Sequence, residues 1–463
     1  MKKVVVVGGG IAGLAAAHAM CRDGVAVTVI DAGRDVGGKL RVTNVGGVVV
    51  DEGAEAFLVR RPEARDLVAT LGLDGELESP RTLKASVWAR DELRPMPERT
   101  VMGLPSDADA LRGVLSARQV ARARLDEWLP GHPPGEDVAV GVWARRRLGA
   151  AVVDLLLDPL LGGVYAGRAD ELSLAATLPQ LPRDERSAMR AARKAVDAAP
   201  PSDAPVFATL RGGLGTLPSA VASAIVRAGG EIVTGRAVRR LERIGSGWRV
   251  VHGPTNDERV LDADAVVVAV PASAAGRLLS TIAPAAASEL SAVESASMAI
   301  VTTAWHASDL PPAKVNGISG YLVPAAYGRP VKAVTLSSQK WAHLSGADGV
   351  VVARCSIGRH GEVADLQRDD ADLVADAVAE LTSYAGFGGT PVDARVSRWG
   401  GALPQYAVGH RERVARIRAA VDVVPGLAIC GAAYDGVGVP ACIGTGVRAA
   451  SRVAAYLTSL ESR

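Results

Sequence analysis

Cysteine is scarce in this sequence: Cys21, Cys355, Cys430 and Cys442 are the four among 463 residues. No two form a C-x-x-C pair, and a disulfide-framed secreted domain would carry them more densely. A reduced, cytoplasmic setting is therefore predicted. The seven histidines are scattered, with no H-x-x-x-H or Cys/His grouping, so no metal site is expected. Excess charge of one sign is missing too. Lys+Arg (52) and Asp+Glu (50) nearly cancel to +2, which excludes nucleic acid as an expected partner, because phosphate backbones need a concentrated basic surface. No apolar run reaches the roughly 18–20 residues of a membrane span. Lys2 and Lys3 ahead of an apolar stretch suggest a secretory leader, but Gly8, Gly9, Gly10 and Gly13 interrupt that stretch and no good cleavage site follows.

What the chain does have is length and apolar content. At about 150 residues per domain, it has room for two or three domains, and 48% apolar residues can build a large core. The opening reads as strand, tight turn, helix, strand: a four-valine run Val4–Val7, an Ala-rich helix Leu14–Arg22, and a second strand Val25–Ile30. Residues 107 to 198 are rich in Ala, Arg and Leu and predict helices, with a break at Ala199–Pro205. A helix Leu217–Ala228, β runs at Glu231–Val238 and Arg249–Val251, and an apolar strand Ala265–Val270 follow. Residues 275–395 alternate β runs with a helix near Asp370–Ala385. The end reads as a strand Leu427–Cys430, a glycine-rich loop and a helix from about Thr445 to Leu457.

Between the first strand and helix stands Gly8-x-Gly10-x-x-Gly13. The first glycine permits the turn, the second lets backbone approach a pyrophosphate, and the third lets helix and strand pack closely. The helix N-terminus then offers free N–H groups to phosphates. Asp31, at the end of the second strand, is placed to bond a ribose hydroxyl, and a carboxylate there disfavours a 2′-phosphate. This pattern predicts a dinucleotide and does not by itself separate NAD from FAD.

The next segment separates them by resemblance. Val36-Gly37-Gly38-Lys39 follows the ribose acid, and Asp51-Glu52-Gly53-Ala54-Glu55 comes later. An acid, a short gap and then Gly-Gly-Arg/Lys resembles the monoamine-oxidase-like flavoenzymes, which implies an extended FAD. Further motifs resemble the protoporphyrinogen and coproporphyrinogen III oxidases: Leu160 to Gly167 with Glu171-Leu172-Ser173 and Leu178-Pro179; Arg211 to Leu217; Trp399 with Pro404-Gln405-Tyr406 and Gly409-His410; and Gly431 through Gly436-Val437-Gly438-Val439-Pro440 to Cys442-Ile443. Phe57 to Pro62, Met102 to Pro105 and Ser337 to Trp341 resemble the actinobacterial coproporphyrinogen III oxidase branch. Amine oxidases and phytoene desaturases share the first motif but not the middle ones.

The resemblance implies an α/β fold: a discontinuous Rossmann-like FAD-binding domain (1–75, 206–274 and 396–463), a mainly helical insertion (76–205) that serves the substrate and could touch a membrane, and a mixed α+β substrate-binding domain (275–395). It implies FAD contacts at Gly8, Gly9, Gly10, Ile11, Ala12 and Gly13; at Asp31 and Ala32; at Gly38 and Lys39; at Gly53, Ala54, Glu55 and Ala56; at Val238 beside the adenine; and at Trp399, Val437, Gly438 and Val439 near the isoalloxazine. Two departures stand out: Asp31 replaces the family's usual Glu, and Gly431-Ala432 replaces a common Gly-Asp.

The implied reaction is a six-electron oxidation of a porphyrinogen, releasing H2O2 and using O2. Its implied partners are coproporphyrinogen III and, beyond it, a membrane surface and a ferrochelatase receiving the product. Arg60 and Arg61 are candidates for the propionates, with a solvated surface role the alternative. Tyr165 and Tyr406 are candidate cleft residues, with core packing the alternative, and Trp399 divides between core and flavin in the same way. Arg145-Arg146-Arg147 reads as a solvated helix face, and His410 and Cys442 as structural. No catalytic base is identified. Competing activities are protoporphyrinogen IX oxidation, carotenoid desaturation or amine oxidation, and a non-catalytic FAD-binding scaffold.

Overall fold

The valine run becomes the strand Lys3–Val7, and its alternation sends the side chains to opposite faces. Val4 and Val6 enter one hydrophobic cluster, while Val5 and Val7 enter another. A strand buried on both faces needs helices on both sides, and it has them. The computed structural model describes residues 2–199, 204–309, 315–345 and 349–461, so the break expected at 199–205 lies largely outside the described residues.

The sheet around that strand is five-stranded and parallel, in the order Glu231–Val233, Ala26–Ile30, Lys3–Val7, Ala265–Val268, Leu427–Ile429. Its strands come from the start, middle and end of the chain. The helices Ile11–Arg22, Leu217–Arg227 and Val439–Glu461 cover one face. The helices Ala272–Leu279, Pro284–Ser291 and His410–Asp422 cover the other. The class is α/β.

A second sheet has seven strands, in the order Asp393–Pro404, Ser295–His306, Val350–Ile357, Val331–Thr335, Gly320–Leu322, Ala85–Ala89, Glu92–Pro95. Its pairs are antiparallel except Gly320–Leu322 with Ala85–Ala89. The helix Asp370–Glu380 packs over one face. Residues Ala85–Pro95 lie within the stretch expected to be a helical insertion, and residues 396–404 within the stretch expected to bind the cofactor, yet both build this sheet. The expected division thus spreads one hydrogen-bonded sheet over three units, and its boundary at 396 falls inside the strand Asp393–Pro404.

Several local expectations shift. The run Glu231–Val238 splits: Glu231–Val233 pairs in the parallel sheet, while Val238 opens the antiparallel meander Val238–Ile244, Gly247–His252, Arg259–Ala263. The last helix starts at Val439 rather than near Thr445, because Pro440 suits a first turn that needs no N–H donor. Between residues 107 and 198 helices predominate as expected, with non-helical segments at 128–139, 166–173 and 178–187 and a π-helical turn at Val153–Leu157. Of the three arginines read as a solvated face, only Arg146 is exposed. Arg147 is buried on the inner side with Ala144 and Leu148 and pairs with Asp126 at 2.6 Å, while Arg145 pairs with Asp154 and Asp170. A helix turns fully every 3.6 residues, so three consecutive residues cannot share one face.

Candidate active site

The glycine turn behaves as its spacing demands. Gly8 has φ +108°, and a Cβ there would lie 2.6 Å from the Ala269 carbonyl. A Cβ on Gly13 would run into the Gly8 carbonyl, so the helix can sit on the turn only if residue 13 is glycine. Gly10 differs: nothing lies within 4 Å of its Cβ position, and it opens onto a cavity of about 540 Å3. Gly10, Ile11 and Ala12, the start of the first helix, face that cavity.

Asp31 also lines it. Its carboxylate accepts from the Gly9 N–H at 2.5 Å and the Gly33 N–H at 2.7 Å, which fixes it against the turn. The second glycine pair docks on the first, with the Gly37 N–H donating to the Gly9 carbonyl at 2.8 Å. Gly38 and Lys39 then reach the wall, where burial lowers the Lys39 pKa.

Gly53, Ala54, Glu55 and Ala56 form the next stretch of wall, and Trp399 stands beside them. The Trp399 indole N–H donates to the Glu52 carbonyl at 3.1 Å, and Arg41 stacks 4.6 Å over the ring. Val437 and Val439 close this end, at the N-terminus of the last helix. Across the cavity the seven-stranded sheet presents Met298, Ile300, Ala333, Thr335 and Leu403, and the helix Asp158–Tyr165 presents Gly163 and Val164.

Other expected residues lie off the wall. Gly9 and Gly13 pack beneath the turn, and Ala32 and Gly438 are exposed. Val238 is half-buried at the head of its strand, packed with the Ile30 cluster. Arg60 is exposed; Arg61 caps the helix Pro62–Thr70 and pairs with Glu63 at 2.6 Å. Neither arginine reaches the wall, because each is drawn to solvent or a local carboxylate. Tyr165 and Tyr406 are core residues, with ring centroids 5.6 Å apart, and burial pushes the Tyr165 hydroxyl up to about 12.

Tyr406 has a second task. Its hydroxyl donates to the Ala432 carbonyl at 2.6 Å and accepts from the Gly436 N–H at 2.9 Å, bracing the loop that carries Val437. His410 stacks on it at 3.8 Å, and burial lowers the imidazole to about 4. Cys442 lines the cavity, with its thiol pushed by burial to about 11.

Two residues have a place here that the sequence did not assign them, Arg354 and the motif residue Lys340. Arg354 lies on the wall, and Lys340 joins it on Glu55, at 2.7 Å each. Arg354, the one charge in the largely apolar, buried strand Val350–Ile357, was the available signal, since an unpaired charge there would be costly.

The family described as flavin containing amine oxidoreductase matches residues 11–454. A protein of Mycobacterium tuberculosis named coproporphyrinogen III oxidase is 37% identical over 99% of this chain and 98% of its own. A Bacillus subtilis protein of the same name is 31% identical over 99% of each. A solved structure from Exiguobacterium sp. 255-15, assigned as a protoporphyrinogen oxidase, superposes with a TM-score of 0.85 at 28% identity over 99% of both chains.

Proposed function

This chain belongs to the flavin-containing amine oxidoreductases and, among them, to the coproporphyrinogen III oxidases, and from that premise we propose that it oxidises coproporphyrinogen III to coproporphyrin III, with FAD as cofactor and O2 as electron acceptor. The observation that carries this reading is one continuous cavity, running from the glycine turn to an apolar sheet face. The residues present suit FAD. No side chain fits at Gly8 or Gly13, while Gly10 leaves its side open to the cavity. Two helix N-termini, at Ile11 and Val439, converge there and favour negative charge.

FAD, when bound, supplies hydride acceptance from a meso carbon and the return of electrons to O2, three times per porphyrin. The chain binds and orients. Met298, Ile300 and Leu403 offer an apolar surface to one face of a macrocycle, and Val164 adds a further apolar side chain from the helix Asp158–Tyr165. Neither Glu55 nor Cys355, both on the wall, is a free base: Glu55 is ion-paired, and burial holds the Cys355 thiol well above its ordinary range. Aromatisation of the product supplies the driving force, so positioning suffices. Of the two arginines expected at the propionates, Arg61 has its Nη1 3.9 Å from the Cβ position of Gly436, next to Val437.

Two partners belong to the proposal. Trp128, 80% exposed just past the Arg-bearing helix Ala117–Arg124, is the surface feature that supports peripheral membrane contact. Among the described residues no helix is long and apolar enough to cross a membrane. Delivery to a ferrochelatase is the chemically sensible fate of the porphyrin product.

Aerobic incubation with coproporphyrinogen III tests the function. Porphyrin fluorescence and H2O2 should rise together, and their absence from an FAD-loaded sample refutes the proposal. The second reading, protoporphyrinogen IX oxidation, draws on the Exiguobacterium assignment, and the ratio of kcat/KM for the two substrates decides between them.

A further inference from the structure

The Gly53–Ala56 wall has no secondary structure of its own, yet it is pinned firmly. Glu55 is its centre. Oε1 meets the Lys340 ammonium and Oε2 the Arg354 Nη1, both at 2.7 Å. Arg354 also donates from Nη2 to the Gly53 carbonyl at 2.5 Å. The three side chains are 13%, 17% and 7% exposed.

They arrive from three places. Glu55 follows the strand Val48–Asp51. Lys340 ends the helical turn Ser337–Lys340 and lies 4.9 Å over the Trp341 ring. Arg354 sits in mid-strand, registered with Thr302 and Thr335 of its neighbours. The contacts thus tie the stretch beside the glycine turn to the sheet that faces it across the cavity.

We propose that Lys340 and Arg354 are positioning residues for the flavin: acting through Glu55 and Gly53, they fix the Gly53–Ala56 wall and set the electrostatic potential along it. This rests on the FAD reading above and goes beyond it, because the wall's charge then tunes the cofactor as well as holding it.

The surrounding charges define the sign. Burial alone would raise the Glu55 pKa, but Lys340 and Arg354 overcome that and hold it at about 2. Asp51, the other carboxylate in the neighbourhood, accepts from the Leu214 and Gly215 N–H groups, and burial lifts it to about 6. Glu52 is engaged by Arg41 and Arg395, and Lys39 faces the cavity. Lys340 and Arg354 thus face Glu55 and Asp51 directly, with Glu52, Arg41, Arg395 and Lys39 around them. Each single substitution changes the net charge of this group in a known direction.

The test uses the full-length holoprotein at pH 8, with the flavin midpoint potential read by dye equilibration and FAD release read by flavin fluorescence on dilution. Reduced flavin carries more negative charge than oxidised flavin. Lys340→Met should therefore lower the potential and Glu55→Gln raise it, each by about 30 mV, a tenfold change in the ratio of affinities. Lys340→Arg should restore the wild-type potential. Arg354→Lys keeps the charge but loses the bond to Gly53, so FAD should leave about tenfold faster while the potential moves by less than about 10 mV.

A purely structural role would move Lys340→Met and Glu55→Gln in the same direction. That result, or no shift in either, overturns the proposal. Should Glu55→Gln shed its flavin, equal potentials in Lys340→Met and Lys340→Arg overturn it instead. A wild-type protein that holds no FAD would refute the proposed function, a separate outcome.

Discussion

Replacing Arg147 with Met should destabilise the helical region by about 3 kcal/mol. Arg147 is 6% exposed, and its partner Asp126 is fully buried. Beyond the 2.6 Å ion pair, the guanidinium donates to the Leu129 carbonyl at 3.2 Å and the Pro130 carbonyl at 3.1 Å. The other Asp126 oxygen accepts from the Ser187 hydroxyl at 2.6 Å and the Met189 N–H at 2.9 Å. One carboxylate thus joins the turn Leu125–Glu127, the helix Val140–Leu148 and the start of the helix Ala188–Asp197.

Removing one side of a buried pair typically costs about 3–5 kcal/mol, because the other charge stays behind without compensation. The Ser187 and Met189 bonds survive in the variant, so the lower end applies. Met refills the volume of the aliphatic stem. An energy of ~3 kcal/mol is about 160-fold in an opening constant. Amide hydrogen exchange of residues 117–124, 140–148 and 188–197 reads that local opening directly. The double variant Arg147→Met/Asp126→Asn should recover at least half the loss, since no bare charge remains. A single-variant loss below about 1 kcal/mol, or a double variant as unstable as the sum of its parts, would refute the reasoning.

The glycines give a contrast. Gly10→Ala should leave thermal stability unchanged but weaken FAD at least tenfold, or ~1.4 kcal/mol, whereas Gly13→Ala should lower the Tm, because its Cβ meets the Gly8 carbonyl. Asp51 carries a pH signature. Its folded pKa of about 6 lies above the ordinary aspartate value of 3.8, so the folded state binds more protons between those values and stability falls as pH rises through that window. Asp51→Asn should remove that slope, up to about 1.4 kcal/mol per pH unit, which denaturant midpoints from pH 4 to 7 will show. Tyr406→Phe should lose about 1–3 kcal/mol through the unmet Ala432 and Gly436 groups, and should loosen FAD, read as faster flavin release.

Much of the cofactor end was legible because its constraints are local. Gly8, Gly10 and Gly13 lie within six residues, and the backbone geometry they permit needs little else to interpret. The substrate end was less legible. Arg60 and Arg61 are adjacent arginines near a family motif, but Glu63, two residues on, claims Arg61. Tyr165 and Tyr406 sit in glycine-flanked or polar segments that suggest a cleft, yet each other's rings and His410 enclose them. Whether an aromatic lines a cavity or fills a core depends on neighbours hundreds of residues away.

By itself the sequence determined the α/β class, the dinucleotide turn and, through motifs spread along the chain, the family and its FAD. These follow from backbone sterics, from side-chain periodicity and from resemblance, and each is written in short windows. Tertiary structure alone decided that strands from 85–95 and 393–404 share one sheet, that Arg147 is an interior ion, and that Lys340 and Arg354 meet on Glu55. The physical reason is common to all three. A charge is stable in the interior only where a partner is brought to it, and a strand only where an edge receives it, and both are set by residues distant in sequence.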